Sequence, residues 1–264
     1  MTRTVIFRDV NKDRQGEEMI LLGFDTETTG LNKQNDRIEE MGCVLYSTTL
    51  HRVLESAGYF SQTDGVLITP ENTGLTGITQ AAADRFGYEP GDALDTFISF
   101  ATEADAIIGH NSNRFDLAVL QNAAKRLGRV LPEKLSIDTM TDIPGVKGEQ
   151  LITMCAKAGF TYKAHGALAD ANAVIDLAEY HAAHFPERSF EKIAERAQSP
   201  LVLLQSLQDR KNNDAAKKLQ FRWNPDKKIW WKAAKEMDVQ ALAEAASFKI
   251  VYIDKSITYE ELDS

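Results

Sequence analysis

Apolar positions along this chain change their spacing several times, and each change marks an element. Residues 19–28 open with a continuous apolar run ending at Phe24, the pattern of a strand buried on both faces. Residues 30–36 are polar and read as a loop. Residues 37–47 alternate and then turn apolar at Met41, Cys43, Val44 and Leu45, which predicts a second strand with 52–60 as its hairpin partner. Three strands on short links make an antiparallel meander. Pro70, Gly74 and Gly77 make 69–79 a loop by turn chemistry. Helical spacing follows over 79–103, broken at Gly87, Pro90 and Gly91. Strands then alternate with helices: strand 105–109, helix 114–127 stopped by Gly128, strand 135–140, helices 149–158 and 168–184. Such alternation adds parallel strands to the meander, so the expected fold is α/β, a mixed five-stranded sheet flanked by helices. Ahead of all this, residues 4–10 read as strand or loop and 11–18 as a polar loop.

A different pattern begins after a connector at 186–199, which holds a short helix at 190–197. It runs strand 201–208, helix 213–219, a hairpin over 221–232 around Asn224-Pro225-Asp226-Lys227, helix 239–246 and strand 248–253. That β-α-β-β-α-β order is a split βαβ unit. The expected organisation is a main domain over 1–185 and a small α+β domain over 200–264.

Charge sharpens this division. The 264 residues carry a net charge of −9, which argues against a wholly basic nucleic-acid coat. Residues 198–235, however, hold nine Lys/Arg against three Asp/Glu, a net of +6, so the remainder carries −15. Trp223, Trp230 and Trp231, all the tryptophans of the chain, lie in that basic stretch. No run of about 18 apolar residues is present, and residues 1–9 have no signal-peptide core, so a cytoplasmic location and no membrane partner are expected. Cys43 and Cys155 are far apart, in apolar contexts and outside any C-x-x-C; they read as reduced core residues and not as a zinc site.

The chemistry starts at Asp25-Thr26-Glu27-Thr28-Thr29-Gly30-Leu31. On a strand, positions i and i+2 share a face, so Asp25 and Glu27 point the same way at the end of a buried strand. A lone D-x-E is commonly a solvated strand end. Buried, two like charges are costly, and a cation taking hard oxygen ligands, Mg²⁺ or Mn²⁺, removes the cost. Two further carboxylates break the pattern of their helices. Asp116 lies three and four residues before Val119 and Leu120, on the apolar stripe of its helix. A charge favoured by the helix dipole is the plainer account of that position. Asp170 likewise shares a face with Val174 and Leu177, while Asn172, Asp176 and Glu179 lie opposite. His165 sits five residues before it, ahead of the helix. Four inward carboxylates and a histidine suit a two-metal site, in which cations about 4 Å apart bind a phosphate and stabilise entering and leaving oxygens. An imidazole, with an ordinary pKa near 6.5, suits removal of a proton from water.

Three motifs in order resemble the DEDDh (DnaQ-like) family of 3′–5′ exonucleases, the group of the polymerase III proofreading subunit. They are Asp25 to Leu31; Gly109-His110-Asn111-Ser112-Asn113-Arg114-Phe115-Asp116; and His165-Gly166-Ala167-Leu168-Ala169-Asp170. Thr76-Gly77-Ile78-Thr79 and Ile137-Asp138-Thr139 are similar to further family segments, and the resemblance covers about residues 19–184. Three residues, not the usual two, separate Asn111 from Phe115-Asp116, a spacing similar to bacterial exonuclease I. The resemblance implies an RNase H-like fold and metal-dependent hydrolysis of phosphodiesters from the 3′ end of single-stranded DNA, giving 5′-mononucleotides. RNA as substrate, or a non-catalytic module docking a polymerase or nuclease, are the alternatives. It further implies that Asp25, Glu27 and Asp170 hold one Mg²⁺ and Asp25, with Asp116 directly or through water, a second, with Mn²⁺ as a substitute, and that His165 is the general base. Thr28 and Leu31 would contact the terminal nucleotide, and His110 and Asn111 would line the same groove. Phe115 reads as core, and Asp138 falls outside the site.

The segment after 200 has no counterpart shared by that family. There Arg222, Trp223, Trp230, Trp231 and Lys232 interleave cations with aromatic rings, a pattern that can stack bases and pair phosphates. Trp230 and Trp231 must face opposite sides of a strand, so a one-sided sheet buries only one of them. Strand binding and docking of a polymerase or nuclease partner are the two expectations for this segment.

Overall fold

The structure, a computed structural model, describes residues 19–208 and 213–263. The strand considered for residues 4–10 lies outside them. The chain divides into two compact units, Met1–Ala194 and Glu195–Ser264.

In the first unit, strands β1 (Ile20–Thr28), β2 (Ile38–Ser47), β3 (Arg52–Phe60), β4 (Ala106–Gly109) and β5 (Leu135–Asp138) form one sheet in the order β3-β2-β1-β4-β5. The first three strands are antiparallel neighbours, and β4 and β5 run parallel to β1. β1 is therefore central, which is why its apolar run has no polar face until residue 25. Helices α1 (Pro70–Thr76), α2 (Gln80–Phe86), α3 (Pro90–Glu103), α4 (Asp116–Leu127), α5 (Leu151–Ala158) and α6 (Ala167–His184) complete it up to a 3₁₀ turn at Pro186–Arg188 and helix α7 (Phe190–Gln198).

The loop expected at 69–79 is a short helix instead. Pro70 occupies the first turn, where its missing N–H costs nothing, Thr69 caps the start through its hydroxyl, and Gly77 ends the helix at φ 79. Proline and glycine here bracket a helix and do not exclude one.

Alternate residues of β1 serve two different cores. Leu22 and Phe24 join Met41, Cys43, Leu94, Phe97, Val119 and Leu120 in a cluster with α3 and α4. Leu21, Gly23, Asp25 and Glu27 face the other way, where α6 packs on β1 and β2. That helix lies unusually near the strands because glycines stand beneath it. A Cβ on Gly42 would lie 2.2 Å from the Ala167 carbonyl oxygen, and one on Gly23 would lie 2.7 Å from Ile175. This close approach brings the first turn of α6, with Asp170, against the end of β1. Gly42→Ala is expected to lift that turn off the sheet, lowering stability by about 3 kcal/mol, the upper range for overpacking. Urea denaturation measures it; an unchanged midpoint would show that the close seat is dispensable.

In the second unit, β6 (Leu201–Ser206), β7 (Arg222–Asn224), β8 (Ile229–Lys235) and β9 (Ile250–Tyr252) form an antiparallel sheet in the order β7-β8-β6-β9. Helices α8 (Asp214–Lys218), α9 (Val239–Ala245) and α10 (Tyr259–Asp263) accompany it. This sheet is covered on both faces, which corrects the expectation for the tryptophans. Trp230 is 4% exposed and packs with Leu204, Ala216, Phe221 and Ala234. Trp231 is 1% exposed and packs on the opposite face with Ile253 and Leu262, against the terminal helix α10. Both rings are core, so neither is free to stack a base. Trp223 is half-buried, 5.5 Å from the Trp230 ring, and Lys232 donates from Nζ to the Leu219 carbonyl. Arg222 is the exposed member of the set; its guanidinium lies 4.5 Å over Trp231 and donates to the Tyr259 hydroxyl. No helix among the described residues is long and apolar enough to cross a membrane.

Candidate active site

The end of β1 and the start of α6 bring three carboxylates together. Asp25, Glu27 and Asp170 each offer an oxygen, and these lie within 4.8 Å of one another. The local reasons are visible. β1 presents Asp25 and Glu27 on the α6 face, and Asp170 lies in the first turn of α6, buried. Glu40 of β2 stands opposite Glu27 in the strand register and accepts a 3.0 Å bond from the Ala167 N–H, which seats the start of the helix.

This arrangement is electrostatically uncomfortable. Burial and the neighbouring Asp116, Asp170, Glu27 and Glu40 hold the Asp25 carboxyl well above the usual range. Burial, then Asp170 and Glu40, push Glu27 up to about 8. The charged neighbours that act most strongly on these two groups are all carboxylates. Clustered oxygens with no positive charge among those neighbours are the donor set of a hard divalent cation. The residues present therefore fit Mg²⁺ or Mn²⁺.

A pH dependence follows for the ion-free protein. With its folded value raised from 4.5 to about 8, Glu27 binds a proton in the native state that the unfolded chain has released. Its contribution to stability is thus fully present below about pH 4.5 and is lost as pH rises through about 8. The expected loss is on the order of a few kcal/mol, and saturating Mg²⁺ should restore it at pH 8. Thermal melts with EDTA and with Mg²⁺ across that window check this; a melting temperature that rises with pH in EDTA would contradict it.

Asp170 is fixed by its own segment. Its Oδ2 accepts from the backbone N–H of His165 at 2.9 Å and of Gly166 at 3.2 Å, and its Oδ1 accepts from the Tyr162 hydroxyl at 2.5 Å. His165 is exposed, at φ 66, with its imidazole free of that network. Asp116, in the first turn of α4, stands outside the cluster of three. Its Oδ1 accepts from the Thr26 hydroxyl at 2.5 Å and the Thr26 N–H at 3.2 Å, while burial lifts its carboxyl to about 6.

Around these groups, Thr28 is buried, donates from its hydroxyl to the Gly30 carbonyl, and accepts at its own carbonyl from Asn72 of α1. Leu31 is 87% exposed on a loop that is tightly held. Asp36 accepts from the Asn32 N–H at 2.6 Å, and Asn122 and Arg126 of α4 donate to the carbonyls of Lys33 and Gln34, each at 3.0 Å. A large apolar side chain presented to solvent on a fixed loop suits contact with a flat ring. His110 is half-buried with both ring nitrogens engaged, one to the Thr139 hydroxyl at 2.8 Å and one to the Glu149 carbonyl at 2.9 Å. Burial lowers its pKa, and with both nitrogens engaged it can offer a ligand a ring face but no free nitrogen. Asn111, at φ 56, donates from its backbone to Asp138, which also accepts from Asn113 and Met140. Asp138 thereby shapes the turn before α4 and lies outside the carboxylate cluster. Phe115 is half-buried against the α3–α4 core.

Glu40, Thr26, Asn72 and Tyr162 are additions that sequence reasoning missed. Glu40 needs the strand register to be seen, and Asn72 needs α1. Thr26 lies within the first motif, but its partner is 90 positions away. For Tyr162, an aromatic three residues before a histidine, no pattern in the sequence signals a role.

Comparison with known proteins adds the following. A family model, RNase_T, described as exonuclease, matches residues 22–178. The PolC-type DNA polymerase III of Caldanaerobacter subterraneus subsp. tengcongensis is 32% identical over 117 residues, which are 44% of this chain and 8% of that protein. Among solved structures, exonuclease I of E. coli in complex with a dA16 oligonucleotide is similar with a TM-score of 0.59 and 16% identity, over 93% of this chain and 67% of that one. The zinc-bound complex of E. coli exonuclease I with single-stranded DNA is similar at 0.63 and 16%, over 94% and 67%. Exonuclease I of Methylocaldum szegediense is similar at 0.61 and 17%, over 93% and 67%. The chain thus spans about two thirds of these structures and a small part of the polymerase. At such identities the structural likeness is one of fold, the RNase H-like exonuclease fold.

Proposed function

This chain belongs to the exonuclease family, and from that membership we propose that it is a metal-dependent 3′–5′ exonuclease acting on single-stranded DNA and releasing 5′-mononucleotides. The observation that carries the proposal is the cluster of Asp25, Glu27 and Asp170 beside an exposed His165. Asp25, Glu27 and Asp170 would hold one divalent ion, and Asp25 with Asp116 a second. When bound, the ions supply positive charge that balances the negative charge developing on the phosphate and on its entering and leaving oxygens.

The rest falls to the protein's own groups. His165, exposed and on the segment that binds Asp170, takes the proton from the attacking water. The water oxygen forms a bond to phosphorus in line with the 3′ oxygen, whose bond breaks, and the released 3′ oxygen is protonated from solvent. The phosphate stays on the departing nucleotide, which makes it a 5′-mononucleotide. Thr28 and Leu31 position the terminal nucleotide, the first through its backbone and the second by packing on the base. The ring of His110 and the turn at Asn111 line the groove beside them. Exonuclease I structures with bound oligonucleotides support single strands as the substrate class.

Identifying the products tests the reading. DNA and RNA oligonucleotides of one sequence are incubated with Mg²⁺ and the released species separated. Nucleoside 5′-monophosphates from DNA support it. Monophosphates from RNA alone would move the substrate to RNA, and 3′-monophosphates would contradict the proposed line of attack.

A further inference from the structure

Asp170 holds more hydrogen bonds than a helix-start carboxylate needs, and their distribution between its oxygens is informative. A carboxylate oxygen has two lone-pair positions. Both on Oδ2 are taken by the N–H groups of His165 and Gly166. Oδ1 accepts one bond, from Tyr162 at 2.5 Å, and has one position left. We propose that Tyr162 is a positioning residue for the ion site: its hydroxyl fixes Oδ1 of Asp170 so that the remaining lone pair of that oxygen serves an ion shared with Asp25 and Glu27. This rests on the ion site proposed above and identifies which oxygen of Asp170 binds there.

Two effects of the tyrosine oppose each other. Donation draws charge off Oδ1 and weakens its hold on a cation. Donation also stops the carboxylate from turning, since a group tethered through one oxygen still swings its other about that point, and the torsion involved is broad. Partners that orient a ligand typically matter by 10–100-fold in metal affinity, so orientation is the larger effect. The placement of Tyr162 adds a second consequence. It is half-buried in the segment between α5 and α6, three residues ahead of His165. One short stretch therefore carries the proposed base and, by three bonds, one ion-binding carboxylate, and Tyr162 keeps their separation constant.

Tyr162→Phe removes one oxygen atom and little else. Calorimetric titration of the full chain with Mn²⁺ alone is compared for parent and Y162F, beside melts in EDTA. Y162F is expected to bind Mn²⁺ about 10–100-fold more weakly, to melt close to the parent, and to show a hydrolysis deficit that narrows as Mn²⁺ is raised. Affinity within twofold of the parent overturns the inference, whatever the melting temperature, because a tyrosine that merely fills space would act on stability alone. Failure of the parent itself to bind Mn²⁺ would overturn the ion site, and this inference with it; the parent titration separates the two failures.

Discussion

Asp25→Ala is expected to lower hydrolysis by at least about 10³-fold, a barrier increase of ~4 kcal/mol, while the ion-free protein remains folded. The first half follows from position: Asp25 is the carboxylate assigned to both ions. The second half follows from its surroundings. Asp116, Asp170, Glu27 and Glu40 all act on Asp25 to disfavour its charge. Removing it relieves repulsion among the others, so in EDTA the variant should melt at or above the parent, and Mg²⁺ should raise its melting temperature less. Activity within tenfold of the parent would remove Asp25 from the chemistry. A large drop in melting temperature in EDTA would mean that the residue serves the fold instead.

Substitution of His165 is expected to cost about 10²–10⁴-fold in rate, the range for a positioned general base. The choice of substituent matters because His165 sits at φ 66. Alanine there adds backbone strain, whereas asparagine tolerates the left-handed region. His165→Asn therefore isolates the imidazole. It also keeps the backbone N–H that holds Asp170, so Mn²⁺ affinity should match the parent while the rate falls. A rate within tenfold of the parent would assign the proton to another group. Loss of ion affinity equal to the loss of rate would make the residue a support for Asp170.

These two expectations differ in how far they could be seen in the chain alone. The run into Asp25-Thr26-Glu27 fixes a strand end and a shared face, and the apolar stripes of α4 and α6 mark Asp116 and Asp170 as misplaced for ordinary helices. What joins them is long-range. Gly42 is one residue of an alternating strand until α6 is laid against it, and only then does its missing side chain set how near Asp170 comes. Glu40 needs the register across β1 and β2. The second unit shows the converse error. Alternation correctly separates Trp230 from Trp231, but whether a sheet has one covered face or two depends on α10, five residues near the end of the chain that no periodicity announces. Pro70 and Gly77 misled for a local reason, since the residues that break a helix in its interior also begin and end one.

The most direct test of the central claim is polarity and ion dependence in one assay. Single-stranded DNA labelled at its 5′ end is digested with Mg²⁺ and with EDTA. A ladder that keeps its label and shortens one nucleotide at a time, present with Mg²⁺ and absent with EDTA, is the predicted result. Immediate release of the label as a mononucleotide, or a ladder undiminished by EDTA, would contradict a divalent-ion site of Asp25, Glu27 and Asp170 working from the 3′ end.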